Sequence, residues 1–127
     1  MYVKVYRYES PNDGLGPYNS NDSKINLYLK RKLINKHIKN NKPSIENDGL
    51  DFAINDNNFK TACNTLKELK KWFKGYNKKL INSGFIIVEY IVKYKIDGKS
   101  KKQCIFHIDN VIKKNIIETK KSFLNIW

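Results

Sequence analysis

The sequence is poor in the side chains that bind metals or form disulfides. Its 127 residues include two cysteines and two histidines, and neither cysteine stands in a Cys-x-x-Cys motif or next to a histidine. Zinc sites and redox-active pairs are normally built from such clusters. We therefore expect Cys63 and Cys104 to be small core residues, and we expect no metal or other cofactor. A chain of this length can bury enough apolar surface to fold without a disulfide.

Long apolar runs are also missing. The most apolar stretch, residues 85–92, contains Glu89 and is far shorter than the roughly 20 residues that span a bilayer. The first residues, Met1 to Val5, lack the apolar segment of a secretory signal. These absences predict a protein that makes no membrane contact and resides in the cytoplasm.

Acidic residues are few relative to basic ones. The chain has 25 Lys and Arg against 12 Asp and Glu, which gives a formal net charge of +13. Such a charge attracts nucleic acids and acidic protein surfaces. Coding bias in an AT-rich genome is an alternative source of lysine, and it predicts a merely soluble surface. Because the same bias also enriches glutamate, of which the chain has five, we favour a polyanionic or acidic partner.

Periodic patterns indicate a single α+β domain over residues 1–127. An apolar fraction of 40% supports a folded chain despite its charge. Alternating residues predict strands of a small, mainly antiparallel sheet near 2–8, 85–96 and 103–108. Helical spacing predicts two or three packed helices near 24–39, 66–81 and 109–121. Residues 40–60 are predicted to form a long loop, and residues 107–127 an appended C-terminal helix or tail.

Local signals mark the ends of two of these elements. Thr65 and Glu68 have the spacing of a capping box, in which each side chain binds a backbone amide at the start of a helix. Asp97 and Gly98 favour a hairpin turn between the last two strands. Both faces of the longest strand are apolar in its first half, which predicts a central position in the sheet.

Three separated segments carry a distinctive set of motifs. They are the strand and Gly-x-Gly-Pro-Tyr loop of residues 5–18, the Thr-Leu-Lys-Glu-Leu-Lys-Lys-Trp-Phe helix of residues 65–73, and a stretch from Leu80 through Gly84-Phe85, Glu89-Tyr90 and Gly98 to Gln103–Phe106. In this order the segments resemble a family of small proteins encoded by bacteriophages and prophages. The resemblance implies a phage or mobile-element origin. It implies no particular reaction, because the family carries no assigned chemistry.

The preferred hypothesis is a phage or mobile-element accessory protein that acts without catalysis in the cytoplasm of a bacterial host. It binds or inhibits a host or anti-phage defence component, for example as an anti-CRISPR protein acting on a nucleoprotein effector. The residues expected to bind are eight cations of the two basic helices: Lys30, Arg31, Lys32, Lys36, Lys70, Lys71, Lys74 and Lys78. Solvated helix faces give the same pattern. A general nucleic-acid-binding protein is a further alternative, and its affinity would fall steeply with salt.

Arg7 is the most unusual residue of the first strand, because it shares a face with Val3 and Val5. A buried charge is costly unless it is paired. Two interpretations remain open. Arg7 forms a structural ion pair with Glu89, or its guanidinium opens into a pocket and holds an anion.

The second interpretation leads to an enzymatic alternative. Arg7 on the first strand, Tyr18 in the following loop and Gln103 on a late strand resemble the residues with which mono-ADP-ribosyltransferases clamp NAD. The resemblance implies a small NAD-dependent transferase. Gln103 lacks the carboxylate that stabilises an oxocarbenium-like centre, although Glu89 offers one. We favour a role without catalysis and keep the transferase as the competing hypothesis.

Overall fold

The structure is a computed structural model that describes residues 2–18, 45, 47–53, 56 and 58–117. These residues form an α+β fold of short elements, so the predicted class is confirmed. In chain order the elements are β1 (Val3–Glu9), a 3-10 turn (Asp51–Ala53), β2 (Phe59–Ala62), α1 (Leu66–Trp72), α2 (Asn77–Asn82), β3 (Ile86–Val92), β4 (Ile96–Asp97), β5 (Cys104–His107), a second 3-10 turn (Ile108–Asn110) and β6 (Val111–Ile117).

The strands form two small antiparallel sheets. β3 lies between β1 and β6 in the first sheet, in the central position that the sequence predicts, and β5 lies between β2 and β4 in the second. The sheets are joined where Tyr6 and Cys63 exchange two backbone hydrogen bonds of 2.8 Å. β1 and β2 therefore meet at this pair and diverge beyond it.

β3 and the second half of β1 carry buried side chains on both faces of the first sheet, whereas most of β6 is exposed. One core cluster lies under α1 and α2 and contains Tyr8, Cys63, Leu69, Phe73, Leu80, Phe85 and Ile87. The other lies between the two sheets and contains Val5, Ala62, Val88, Tyr90, Val92, Cys104 and Phe106. Both cysteines are thus buried core residues without a disulfide, as predicted.

The predicted helix near 66–81 forms as two short helices. Thr65 Oγ1 accepts a hydrogen bond of 3.0 Å from the backbone N–H of Glu68. The Glu68 carboxylate in turn accepts one of 3.3 Å from the N–H of the residue before Thr65. α1 therefore begins with the predicted cap, and a turn after Trp72 separates it from α2.

The predicted strand near 85–96 is divided between the two sheets. β3 ends at Val92, and after a bend the chain continues as β4, where Ile96 pairs with Ile105. The hairpin predicted at Gly98 therefore joins β4 to β5 within the second sheet. The bend allows one segment of chain to pair with β1 and β6 first and with β5 afterwards.

The helix predicted near 109–121 is wrong, because the structure places strand β6 at Val111–Ile117. β6 pairs with β3. Lys113 lies opposite Ile91 and Val111 lies opposite Val92, so Ile112 is skipped in the register. This irregularity interrupts the two-residue alternation by which a strand is identified from sequence. The remaining spacing of apolar residues is compatible with a helix, and pairing with β3 decides in favour of the strand.

Other predictions concern the segment between β1 and β2 and the end of the chain. The loop predicted over residues 40–60 includes the start of β2, which is too short to show clear alternation. The helix predicted near 24–39 and residues 118–127 lie outside the described residues. None of the helices that the structure describes is long and apolar enough to span a membrane.

Candidate functional site

Arg7 lies where β1 and β2 separate. Beyond the Tyr6–Cys63 pair, a continued antiparallel ladder would place Tyr8 opposite Thr61. The pairing stops instead, and the Thr61 carbonyl accepts a hydrogen bond of 3.0 Å from Arg7 Nη1. The guanidinium thus binds a backbone group that has no strand partner on this side, which explains a cation in a mostly apolar strand.

Glu9 balances part of the charge that Arg7 brings into the core. It lies two residues after Arg7 on the same face of β1, and it is only 1% exposed. Arg7 Nε lies 3.2 Å from the carboxylate. Lys114 Nζ lies 3.1 Å from it and Lys60 Nζ 3.7 Å. The Tyr90 hydroxyl also donates a hydrogen bond to Glu9. One carboxylate therefore faces three cations, which leaves a local excess of two positive charges.

Desolvation disfavours the charged forms of two of these cations. Burial lowers the pKa of Arg7, and the charge of Glu9 only opposes that shift. Burial also lowers the pKa of Lys60, and the nearby charge of Arg7 lowers it further. A second anion at this position would stabilise both cations, because opposite charge favours the ionised form of each.

A cleft of about 260 Å³ adjoins the Arg7 side chain, between β1, β2, α1 and the loop that follows β1. The carbonyl of Gly14 in this loop accepts a hydrogen bond of 2.9 Å from Lys60 Nζ. A side chain at position 16 would begin 3.2 Å from Arg7 Nη2. Gly16 therefore lets the loop lie directly against the guanidinium, which explains this part of the Gly-x-Gly-Pro-Tyr motif.

Aromatic side chains form another wall of the cleft. Tyr18 packs on Phe73 with ring centres 6.0 Å apart and an interplanar angle of 30°. Its hydroxyl accepts a hydrogen bond of 3.0 Å from Trp72 Nε1. Burial raises the pKa of Tyr18, so the hydroxyl stays protonated at neutral pH. This aromatic wall offers ring surface beside the cations Arg7 and Lys60.

The three residues of the transferase hypothesis, Arg7, Tyr18 and Gln103, all line this cleft. Gln103 is buried, and its Nε2 donates a hydrogen bond of 3.1 Å to Asp48. Its amide therefore helps to hold the loop around Asp48 against the β4–β5 hairpin. The structure brings the predicted set together, and it also gives each member a structural contact.

The predicted Arg7–Glu89 ion pair is wrong. In the register of β1 and β3, Tyr6 lies opposite Glu89 and Arg7 lies opposite Val88. Neighbouring positions of a strand point to opposite faces, so Arg7 and Glu89 are on different sides of the sheet. Glu89 accepts hydrogen bonds of 2.8 Å from the Tyr6 hydroxyl and 3.1 Å from Asn115. The bond from Asn115 is the main cause of a lowered Glu89 pKa.

Glu9 and Lys60 are site residues that were not predicted from the sequence. Glu9 shares a strand face with Arg7, so the two-residue period of β1 contained a signal for it. Lys60 had no such signal, because its place depends on where β2 crosses β1.

A family model described as bacteriophage T4 Y00F protein matches residues 1–120 of the chain. The chain belongs to this family. The match includes the cleft loop and every strand that the structure describes, and it confirms the resemblance to small phage proteins. Membership of the Y00F family supports the role of a phage accessory protein. Neither a search of curated proteins nor a search of solved structures found a match.

The binding lysines predicted for this Y00F-family protein fall into two groups. The first group lies outside the described residues: Lys30, Arg31, Lys32 and Lys36. The second group lies on α1, on α2 and in the turn between them: Lys70, Lys71, Lys74 and Lys78. Lys70 is partly buried and the other three are exposed. These four helix lysines do not line the cleft.

Candidate metal ligands and thiols are not grouped in the parts of this family member that the structure describes. No cluster of three or more His, Cys, Asp or Glu residues there could hold a metal ion. Burial raises the pKa of Cys104 to about 12, so its thiol is protonated at neutral pH. Cys63 lines the cleft as a buried side chain.

Proposed function

We propose that this phage accessory protein acts without catalysis, by binding a host or anti-phage defence component in the bacterial cytoplasm. A nucleoprotein effector inhibited in the manner of an anti-CRISPR protein is one form of this proposal. The binding surface is the outer side of α1 and α2, which we call the helix surface. It is defined by the lysines Lys67, Lys70, Lys71, Lys74, Lys78 and Lys79.

The observation that carries the proposal is the charge of the helix surface. From Leu66 to Asn82 there are six lysines and one acidic residue, Glu68. Glu68 is already bonded at the start of α1. Lys67 and Lys71 are four residues apart on α1, where like charges destabilise an isolated helix by about 0.2–0.5 kcal/mol. An acidic protein surface or a phosphate backbone relieves this repulsion, and both occur in nucleoproteins.

The test compares two charge-reversal variants of equal net charge. Lys71→Glu/Lys78→Glu alters the helix surface, and Lys101→Glu/Lys102→Glu alters exposed residues of the β4–β5 turn. Each substitution subtracts two charges, so both variants fall from +13 to 13 − 4 = +9. Affinity-tagged proteins are expressed in the host, and captured components are quantified by mass spectrometry. We expect capture of the main component to fall at least about tenfold in the first variant only.

Equal loss in both variants would show that net charge, not this surface, governs binding. Nuclease treatment before capture separates a protein contact from binding through nucleic acid. The general nucleic-acid-binding alternative predicts that generic DNA or RNA binds the purified protein, with affinity falling steeply as salt rises from about 50 to 200 mM.

The NAD-dependent transferase is the second candidate, because Arg7, Tyr18 and Gln103 line one cleft. The cleft volume of about 260 Å³ lies below the range of roughly 300–1,000 Å³ that is usual for drug-sized ligands, and NAD is larger than most of these. Titration calorimetry with NAD tests this candidate directly. Binding that Arg7→Lys abolishes, together with release of nicotinamide, would favour the transferase over the binder.

A further inference from the structure

The cleft beside Arg7 has the properties of an anion site. Arg7 is 7% exposed, and its Nε lies 3.2 Å from Glu9 without the alignment of a hydrogen bond. Nη1 is bonded to Thr61, whereas Nη2 makes no hydrogen bond to the described residues. A guanidinium can donate five hydrogen bonds in a planar fork that suits carboxylates and phosphates. A buried cation with unused donors therefore borders an open cleft.

Lys60 supplies a second cationic group on the same cleft. Its ammonium donates to the Gly14 carbonyl at 2.9 Å and lies 3.7 Å from Glu9. An ammonium has three donors, so at least one remains for a ligand. Lys60 approaches from β2 and Arg7 from β1, so a ligand between the strands can contact both.

The donors and the charges at the cleft select the kind of anion. Arg7 and Lys60 line the cleft, Asp56 adds a carboxylate to the same lining, and Lys114, which also contacts Glu9, is not part of that lining. A phosphate monoester is close to a dianion at neutral pH and has three acceptor oxygens, so it can bind both cations at once, whereas a carboxylate has two oxygens and one charge. The volume of about 260 Å³ limits the ligand to a phosphate with a small organic group. The rings of Tyr18 and Trp72 provide a surface for that group.

We propose that this cleft binds a small phosphate monoester, with the phosphate held by Arg7 and Lys60 and its organic group against the aromatic wall. The site is separate from the helix surface and does not depend on the function proposed for it. Gly16 belongs to the site, because it allows the loop after β1 to approach Arg7 Nη2.

The test is a titration of the full chain with phenyl phosphate, followed by NMR chemical shifts and by calorimetry. Lys60→Met removes one cation, and Gly16→Ala crowds Arg7 Nη2 while keeping every charge. Lys102→Met removes one cation from an exposed turn and is the matched control. We expect Lys60→Met and Gly16→Ala to weaken binding at least about fivefold and Lys102→Met less than about twofold. Thermal denaturation of each variant establishes that it is folded.

Related anions identify the chemistry that the site prefers. The second ionisation of a phosphate monoester has a pKa of about 6, so affinity should increase between about pH 5 and pH 7.5. Sulfate carries two charges throughout this range, and its affinity should stay constant. Inorganic phosphate should bind more weakly than phenyl phosphate, because it lacks contact with the aromatic wall. Benzoate tests the carboxylate alternative, and binding equal to that of phenyl phosphate would contradict the proposal.

The proposal is also overturned if Lys60→Met and Lys102→Met weaken phenyl phosphate equally, because that outcome indicates general attraction to a basic protein. Chemical-shift changes confined to exposed lysines would lead to the same conclusion. The variant Lys71→Glu/Lys78→Glu should keep the phosphate site. If this variant loses macromolecular binding but still binds phenyl phosphate, the two proposals concern separate sites.

Discussion

At the scale of single residues, the buried charge of Arg7 depends on Glu9. Its carboxylate is the common contact of Arg7, Lys60, Lys114 and the Tyr90 hydroxyl. Desolvated ions are stabilised only when their charges are balanced and their hydrogen bonds are satisfied. The same carboxylate limits the positive potential of the cleft, because it balances one of three cations.

Replacement of this carboxylate by an amide should destabilise the fold strongly. In Glu9→Gln the three cations lose their common counter-ion, and breaking a buried ion pair in this way typically costs about 3–5 kcal/mol. Urea denaturation measures the free energy of unfolding. The control is Glu89→Gln, a partly buried position where the neutral donors Tyr6 and Asn115 remain, and we expect it to cost less than about 1 kcal/mol. Similar costs at both positions would contradict this account of Glu9.

At the scale of elements, the loop containing Asp48 secures the hairpin of β4 and β5. The Asp48 carboxylate accepts hydrogen bonds from the backbone N–H and hydroxyl of Ser100 and from Gln103, at 2.6, 2.9 and 3.1 Å. A side chain at Gly98 would begin 2.0 Å from this carboxylate. The absence of a side chain at Gly98 is therefore what allows the loop and the hairpin to come together.

The contact between the loop and the hairpin can be measured with a double-mutant cycle. Gly98→Ala should destabilise the wild type by about 1–3 kcal/mol, because its methyl group displaces the Asp48 carboxylate. In an Asp48→Ala background the obstructing atoms are gone, so the same substitution should cost much less. We expect a coupling of at least about 1 kcal/mol by urea denaturation. Equal costs in the two backgrounds would show that the conformation of residue 98, and not Asp48, requires glycine.

At the scale of the whole molecule, the charge of the chain opposes its own folding. With 25 basic residues against 12 acidic ones, compaction brings like charges closer together. Salt screens this repulsion over about 10 Å at 0.1 M. Salt therefore weakens functions that need attraction to anions, whereas it stabilises the folded state.

Moderate salt should accordingly stabilise this protein. We expect the midpoint of thermal unfolding, followed by circular dichroism, to rise by a few degrees between about 20 and 200 mM NaCl. Lys101→Glu/Lys102→Glu lowers the net charge to 13 − 4 = +9 and should show a smaller rise. A midpoint that falls with salt would mean that attractive pairs such as those of Glu9 outweigh the repulsion.

Features that depend on neighbouring residues can be predicted from the sequence alone. Local spacing and side-chain type predict three of these features: the cap of α1 at Thr65, the strand character of β1 and β3, and the burial of both cysteines. The basic charge and the small α+β class follow from composition and periodicity. The sequence also indicated that Arg7 requires compensation, because a charge on an apolar strand face is costly wherever the strand lies.

Which distant residues meet depends on the way the strands pair in the folded chain. In the register of β1 against β3, Glu89 lies opposite Tyr6 and is therefore on the face of the sheet that Arg7 does not share. The ion pair of Arg7 is with Glu9 instead. Pairing with β3 makes Val111–Ile117 a strand, although the skipped Ile112 obscures its alternation. The cleft exists because β1 and β2 diverge after a single pair. These strand pairings join residues far apart in the chain, and local patterns contain no information about which of them come together. The Arg7–Glu9 pair is the exception, because both residues lie on one face of β1.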